Sequence, residues 1–148
     1  MELTFSPAGP EDIDIIFSLS KRLIDDYEDM QNIDYEKVLH WVRRKIETNI
    51  TTYTCALLDG RKAGYYRFSP AGSMTEIDDL YILAEFRGRG IGTAIIKKCC
   101  SETDFPVMLY VFTRNTRALS LYKRLGFRIT EAIGSSRCIM VRNCEELL

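Results

Sequence analysis

The run that most constrains this chain is Leu80-Tyr81-Ile82-Leu83-Ala84-Glu85-Phe86-Arg87-Gly88-Arg89-Gly90-Ile91-Gly92-Thr93. An apolar strand-like segment leads into three alternating glycines and then into a segment of helical period. Glycine has no Cβ, so a ligand can approach the backbone closely and unusual φ/ψ angles are tolerated. The first turn of the following helix directs unpaired N–H groups outward, and its dipole favours negative charge there. Arg87 and Arg89 add two full positive charges. These features describe a cradle for a phosphate or pyrophosphate. Two familiar phosphate loops do not match. A Walker A loop ends in Gly-Lys-Ser/Thr, whereas Gly92 is followed by Thr93-Ala94. A dinucleotide fingerprint needs G-x-G-x-x-G with an acid about 20 residues on; here the spacing is G-x-G-x-G and the region around Phe112 offers no acid.

The flanking pattern reads as one α/β chain. Glu2 to Phe5 forms a short strand, and Gly9-Pro10-Glu11-Asp12 is a helix entry with acids in its first turn. Ile13, Ile16, Phe17, Leu19, Leu23 and Ile24 continue at helical spacing to about Asp29, and Asp34 to Thr48 forms a second helix with Val38, Leu39, Trp41, Val42 and Ile46 apolar. From Thr51 the period changes: a strand to Leu58, a turn at Asp59-Gly60, a returning strand Ala63 to Phe68, a loop Pro70 to Ser73 and a third long strand Met74 to Leu83. The glycine loop opens a helix over Thr93 to Ser101. Val107 to Phe112 is a buried strand, and Arg117 to Leu125 is a helix closed by Gly126. Phe127 to Ile133 and Arg137 to Val141 finish as strands. No linker or repeat divides the 148 residues, which predicts a single domain over 1–148.

The 20 basic and 21 acidic residues nearly balance, which speaks against nucleic acid as a partner. No apolar run is long enough to span a bilayer, and Met1-Glu2-Leu3-Thr4-Phe5 has no secretory pattern. The five cysteines (Cys55, Cys99, Cys100, Cys138 and Cys144) are odd in number, lack C-x-x-C spacing and are accompanied only by His40. Disulfides and a metal site are both poor readings, and a reducing cytoplasm fits best.

A second motif follows the first: Asn115-Thr116-Arg117-Ala118-Leu119-Ser120-Leu121-Tyr122-Lys123-Arg124-Leu125-Gly126-Phe127. Together with Arg87-Gly88-Arg89-Gly90-Ile91-Gly92, it resembles the GNAT superfamily of N-acetyltransferases. The family's signature is Gln/Arg-x-x-Gly-x-Gly/Ala, followed by a helix patterned Asn, Ala, Tyr, Gly-Phe. The likeness covers roughly Glu76 to Phe127; many relatives carry proline where Ala84 stands. The resemblance implies a mixed, mostly antiparallel sheet with helices on both faces. It also implies a central cleft, where the Met74–Leu83 and Val107–Phe112 strands splay to admit acetyl-CoA.

By the same resemblance, the pantetheine arm pairs with the backbone around Leu80, Tyr81 and Ile82. The pyrophosphate sits on Arg87, Gly88, Arg89, Gly90, Ile91, Gly92 and Thr93. Asn115 either meets the pantetheine or caps the last helix. Acyl transfer to an amine needs a neutral nucleophile, although an alkyl ammonium has a pKa of about 10.4, a donor for the developing oxyanion and a proton for the departing thiolate. Tyr122 is the family's candidate for the last task; the alternative is a core aromatic sharing a face with Ala118 and Leu125. Glu76 and Asp79 are the candidate bases. Strict alternation puts Glu76 and Asp78 on one face and Asp79 on the other unless a bulge intervenes.

The family's two N-terminal helices wall the acceptor site. Their junction here carries Asp25, Asp26, Glu28, Asp29 and Asp34, either an acidic rim for a cationic amine or a solvated charge run. His40 stands alone, Trp41 reads as core, and Cys99 and Cys100 read as packing residues. The expected reaction is direct transfer from acetyl-CoA to a primary amine in a ternary complex, on a small molecule or a protein. No membrane partner is expected, and monomer and homodimer both remain open. The alternative is a non-catalytic acyl-CoA sensor on the same scaffold.

Overall fold

A computed structural model of the chain describes residues 2–143. Seven strands and four helices follow one another as β1 (Leu3–Pro7), α1 (Ile13–Tyr27), α2 (Tyr35–Asn49), β2 (Tyr53–Leu58), β3 (Arg61–Ala71), β4 (Met74–Ile82), α3 (Ile91–Ser101), β5 (Val107–Phe112), α4 (Thr116–Arg124), β6 (Arg128–Ile133) and β7 (Arg137–Arg142). The strands form a mixed sheet in the order β1-β2-β3-β4-β5-β7-β6. The β1–β2, β2–β3, β5–β7 and β6–β7 ladders are antiparallel, and β4–β5 is parallel. The expected mixed, mostly antiparallel α/β fold is therefore observed. Its contacts divide the chain into two compact units, Met1–Arg67 with Asp79–Ile91, and Phe68–Asp78 with Gly92–Leu148.

In the first unit, α1 buries Ile16, Ser20 and Ile24 at a spacing of four, and α2 buries Val42 and Ile46. Ile16 and Ile46 are fully buried, each worth about 1.5–3 kcal/mol of transfer free energy. The α1 entry is tied down by Asp12, only 2% exposed. Its carboxylate accepts from the Gly9 N–H (2.9 Å), Lys62 Nζ (2.7 Å) and the Tyr65 hydroxyl (2.6 Å). Burial alone would raise the Asp12 pKa, but these donors outweigh it and hold the carboxyl below its ordinary range. Asp34 caps α2 by accepting from the Lys37 N–H at 3.2 Å. Asp59 and Gly60 both have positive φ, 51° and 82°, as a two-residue type I′ hairpin turn requires.

In the second unit, α3 buries Ile95, Ile96, Cys99 and Cys100, and β5 buries Val107, Met108, Leu109 and Val111. Asn115 caps α4, its Oδ1 accepting from the Ala118 N–H at 3.2 Å. The helix ends at Gly126, φ 92°. The N–H groups of Gly126 and Phe127 return to the carbonyls of Lys123 and Tyr122 at 3.1 and 3.0 Å.

Three boundaries or burials differ from the sequence reading. The loop expected at Pro70 to Ser73 shrinks to a turn, because β3 continues to Ala71 and exposed Pro70 is its penultimate residue, a position where proline is tolerated. α3 begins at Ile91 rather than Thr93, since the buried stripe of Ile91 and Ile95 starts there. Trp41, read as core, is 64% exposed; Val42 and Ile46 define the buried face, and one residue along a helix turns the side chain by about 100°. Cys55, Cys99, Cys100 and Cys138 are buried free thiols, and Cys144 lies outside the described residues. No helix among the described residues is long and apolar enough to cross a membrane.

Candidate active site

Strand β4 carries the acids that the sequence singled out. Thr75, Ile77 and Tyr81 are buried along it. Asp79 breaks its regularity with φ 61°, and Asp59 and Asp79 are the positive-φ non-glycine residues among those described. Asp59 needs that conformation for its hairpin turn. Asp79 adopts it inside a strand, at a cost of about 1–3 kcal/mol that surrounding contacts must offset. Those contacts are specific. The Asp79 carboxylate accepts from the Tyr53 hydroxyl at 2.5 Å and from Lys45 Nζ at 3.3 Å. The Lys45 and Asp79 side chains are only 20% and 17% exposed. Burial pushes the Tyr81 hydroxyl well above its ordinary pKa, the nearby Asp79 charge pushes it further, and a hydrogen bond with Ser20 works the other way. Thus α1, α2, β2 and β4 each send a polar side chain to one point in the first unit. The Tyr81 hydroxyl also hydrogen-bonds to Asp79, so three donors fill most of the about four lone-pair directions of an ionised carboxylate.

The backbone beside this point is tightly fitted. A Cβ on Gly64 of β3 would lie 2.5 Å from the Tyr81 carbonyl oxygen and 2.9 Å from Ile82 Cδ1. Only glycine lets the two strands approach so closely. Glu76 is half-buried in the other unit, where it stands in register with Met108 of β5. Thr75, Ile77 and Tyr81 are the buried positions of β4, so the alternation that groups Glu76 with Asp78 against Asp79 continues past the left-handed Asp79 backbone.

The glycine loop follows β4 through a short 3₁₀ turn over Ala84–Phe86. Phe86, 2% exposed, anchors it. The Arg61 and Arg89 guanidinium carbons lie 5.0 and 5.6 Å from its ring centre, and Arg87 Nε donates to the Ile82 carbonyl at 3.4 Å. Gly88 and Gly90 have φ 77° and 76°. A Cβ on Gly88, Gly90 or Gly92 would meet nothing within 4 Å, so these glycines serve backbone shape and access rather than internal packing. The Ile91 side chain is buried, leaving only its backbone to a ligand, and Gly92 and Thr93 are half-buried in the first turn of α3. An exposed arch with two guanidinium groups and the unpaired N–H groups of a helix start fits a diphosphate.

In the second unit, the Asn115 carboxamide oxygen is engaged as the α4 cap. Tyr122 is half-buried, with its ring centre 5.9 Å from that of Phe127. Its hydroxyl makes no hydrogen bond among the described residues, and burial pushes its pKa up to about 12. It is a protonated donor without a protein acceptor. Cys55, Cys99 and Cys138 are poor nucleophiles, because burial raises their pKa values, that of Cys99 to about 12.

The acids at the α1–α2 junction are engaged locally. Asp25 accepts from Lys21 (2.9 Å) and the Tyr35 hydroxyl (2.5 Å), Asp29 from Asn32 (2.5 Å), and Glu28 from the Asp29 N–H (2.8 Å). Asp26 faces Arg22 at 3.9 Å, and Asp34 caps α2. The exposed face of α2 instead carries a shallow, open patch formed by His40, Trp41, Arg44, Lys45, Thr48 and Asn49 of that one helix. Sequence reasoning missed Lys45, Tyr53, Ser20 and Gly64, because their importance comes from contacts with distant positions on β4, and no local motif marks them.

Comparison with known proteins accords with this geometry. The chain belongs to the GNAT acetyltransferase family, whose model matches residues 17–127. It is 40% identical over 83 residues to the thialysine N-epsilon-acetyltransferase of Bos taurus, an alignment covering 48% of this chain and 46% of that protein. It is 39% identical over 64 residues to an uncharacterized N-acetyltransferase of Methanocaldococcus jannaschii, covering 40% of this chain and 28% of that one. The matched stretches thus span about half or less of these relatives' own length. In fold, the chain is similar to the PaiA N-acetyltransferase of Thermoplasma acidophilum, a structure in complex with coenzyme A. That match has a TM-score of 0.73 at 18% identity and covers 97% of this chain and 99% of that one.

Proposed function

We propose that this chain is an acetyl-CoA-dependent N-acetyltransferase acting on a primary amine by direct transfer in a ternary complex, with residues 1–148 working as one domain. The observation that carries the reading is the open glycine arch from Arg87 to Gly92 in a chain of this family. The coenzyme A named in the Thermoplasma structure and the amine acetyltransferase names of the relatives support it.

When bound, acetyl-CoA supplies the acyl carbon: an N–C bond forms, the C–S bond breaks, one proton leaves nitrogen and one reaches sulfur. Arg87, Arg89 and the backbone of Gly88 to Thr93 hold the pyrophosphate. The backbone of Leu80, Tyr81 and Ile82 orients the pantetheine arm. Asn115 acts through α4, whose first turn it caps. Tyr122 gives its proton to sulfur, a task its raised pKa suits, since the hydroxyl stays protonated through the ordinary pH range. Asp79 takes the amine proton in preference to Glu76, on the lone-pair direction that Tyr53, Lys45 and Tyr81 leave. Lys45 adds a second effect. A fixed cation beside the carboxylate disfavours an arriving ammonium and favours the neutral amine that can attack.

Calorimetry with coenzyme A and thiol release from acetyl-CoA test the reading, the latter across polyamines, aminoglycosides, amino acids and peptides. Saturable binding that weakens about 5–30-fold in Gly90→Val is expected, from the roughly 1–2 kcal/mol that a left-handed backbone costs a residue with a Cβ. Tyr122→Phe should lower kcat by up to about 10²–10⁴-fold, the range for general acid catalysis, with the KM for acetyl-CoA little changed. Tight coenzyme A binding with no thiol released on any amine would instead identify a sensor.

A further inference from the structure

We propose that Tyr53 is a positioning residue for the transfer: with Lys45 it fills one oxygen of the Asp79 carboxylate, Oδ2, and so presents the other, Oδ1, to the acceptor amine. The inference rests on the transferase reading above and deepens it by naming what aims the base.

The two donors that reach Asp79 from other elements meet at a single atom. The Tyr53 hydroxyl on β2 donates to Oδ2 at 2.5 Å, and Lys45 Nζ on α2 donates to the same Oδ2 at 3.3 Å. Each oxygen of a carboxylate has about two lone-pair directions, so Oδ2 is filled and any further partner is met at Oδ1. By this count the third donor, the Tyr81 hydroxyl of β4, takes one direction on Oδ1. One is left for the amine. Ser20 on α1 in turn bonds to Tyr81.

The two donors on Oδ2 differ in stiffness. The Tyr53 side chain is 1% exposed, and its strand is paired on both sides, with β1 and with β3. A tyrosine side chain has only two χ angles, so a buried one holds its hydroxyl in a narrow range. A lysine carries its charge on a flexible four-carbon stem, and the Lys45 side chain keeps 20% of its surface. Tyr53 therefore fixes where the carboxylate lies, and Lys45 supplies charge. Asp79 needs such a tie because its φ of 61° is a conformation that persists only where surrounding contacts over-determine it. Proton transfer requires the base within hydrogen-bond reach of the proton, so a carboxylate that drifts loses turnover rather than cofactor binding.

Tyr53→Phe keeps the ring and removes the hydroxyl. The kcat for thiol release is expected to fall about 10–100-fold, the size of a hydrogen bond to a charged group, with the KM for acetyl-CoA unchanged. The acid limb of kcat/KM should move to higher pH, because the ionised carboxylate loses a donor. A packing defect alone would lower the rate at every pH and leave the limb in place. A double-mutant cycle supplies the second readout. Added to Asp79→Asn, Tyr53→Phe should cost nothing further, since its effect runs through that carboxylate. Asp79→Glu carries the acid one methylene further out and should lose a comparable factor; it keeps the test standing if circular dichroism shows Tyr53→Phe misfolded. An unchanged kcat or a fixed acid limb in Tyr53→Phe, losses that add in the double variant, or full activity in Asp79→Glu would each overturn the proposal. Wild-type turnover with an unaffected Tyr53→Phe removes the positioning role and leaves the transferase standing. A wild-type chain that releases no thiol on any amine removes the transferase, and the role of Tyr53 with it.

Discussion

The first unit contains two sets of acids, and their contrast shows which carboxylates are available for chemistry. At the α1–α2 junction, Asp25, Asp26, Glu28, Asp29 and Asp34 are dense in sequence, yet each is engaged by a neighbour within ten positions. Tyr35 and Lys21 lower the Asp25 pKa by direct hydrogen bonds at the surface. Asp79 is held differently. Its donors come from Lys45 and Tyr53, 34 and 26 positions away. Its side chain is mostly buried, and its backbone sits in a conformation that strands avoid. A dense acidic run is inexpensive when solvent and local partners satisfy it. A single acid placed against both burial and backbone preference needs several elements to hold it, and such sites cluster where function requires them.

Asp79→Asn should break this contrast most visibly. If Asp79 is the base, thiol release falls about 10²–10⁴-fold while coenzyme A affinity holds; a variant retaining full kcat would move the role to Glu76. Asp12→Asn tests a buried acid whose task is structural. It should destabilise the fold by about 1.5–3 kcal/mol at neutral pH, reduced by screening at half-exposed Lys62, with catalysis little affected once folded. Because the folded Asp12 pKa lies below the ordinary 3.8, its contribution is complete above that value. It disappears as pH falls through the folded pKa. Urea melts of wild type and variant should therefore differ at pH 7 and converge in acid; a constant gap would contradict the ionic account. Asp25→Asn should do least, leaving the melting temperature and kcat/KM essentially unchanged. A large loss of kcat/KM there would restore the acidic-rim reading.

Much of this was legible from local chemistry. The positive-φ glycines of the arch, the helix cap at Asn115, the Gly126 helix stop and the Asp59-Gly60 turn each rest on backbone rules acting within a few residues, and the backbone shows each of them. The pattern around Asp79 was partly legible: three acids on a strand drew attention, and alternation set Asp79 apart from Glu76 and Asp78. The left-handed backbone could not be read, because its stability depends on Lys45, Tyr53 and the packing of four elements. Trp41 was misread for a related reason. Apolarity alone does not say which of two adjacent helical positions faces inward, and Val42 and Ile46 settle it by packing.

The sequence by itself determined the order of elements, the glycine-rich turn and the family motifs, because these arise from interactions between residues close along the chain. Tertiary structure alone decided that the junction acids are locally paired, that Asp79 is gripped by Tyr53 and Lys45 from distant elements and that Trp41 lies exposed on α2. Charge pairing and burial depend on where distant segments meet, and that is settled only when the apolar faces of α1 and α2 find the strands they cover.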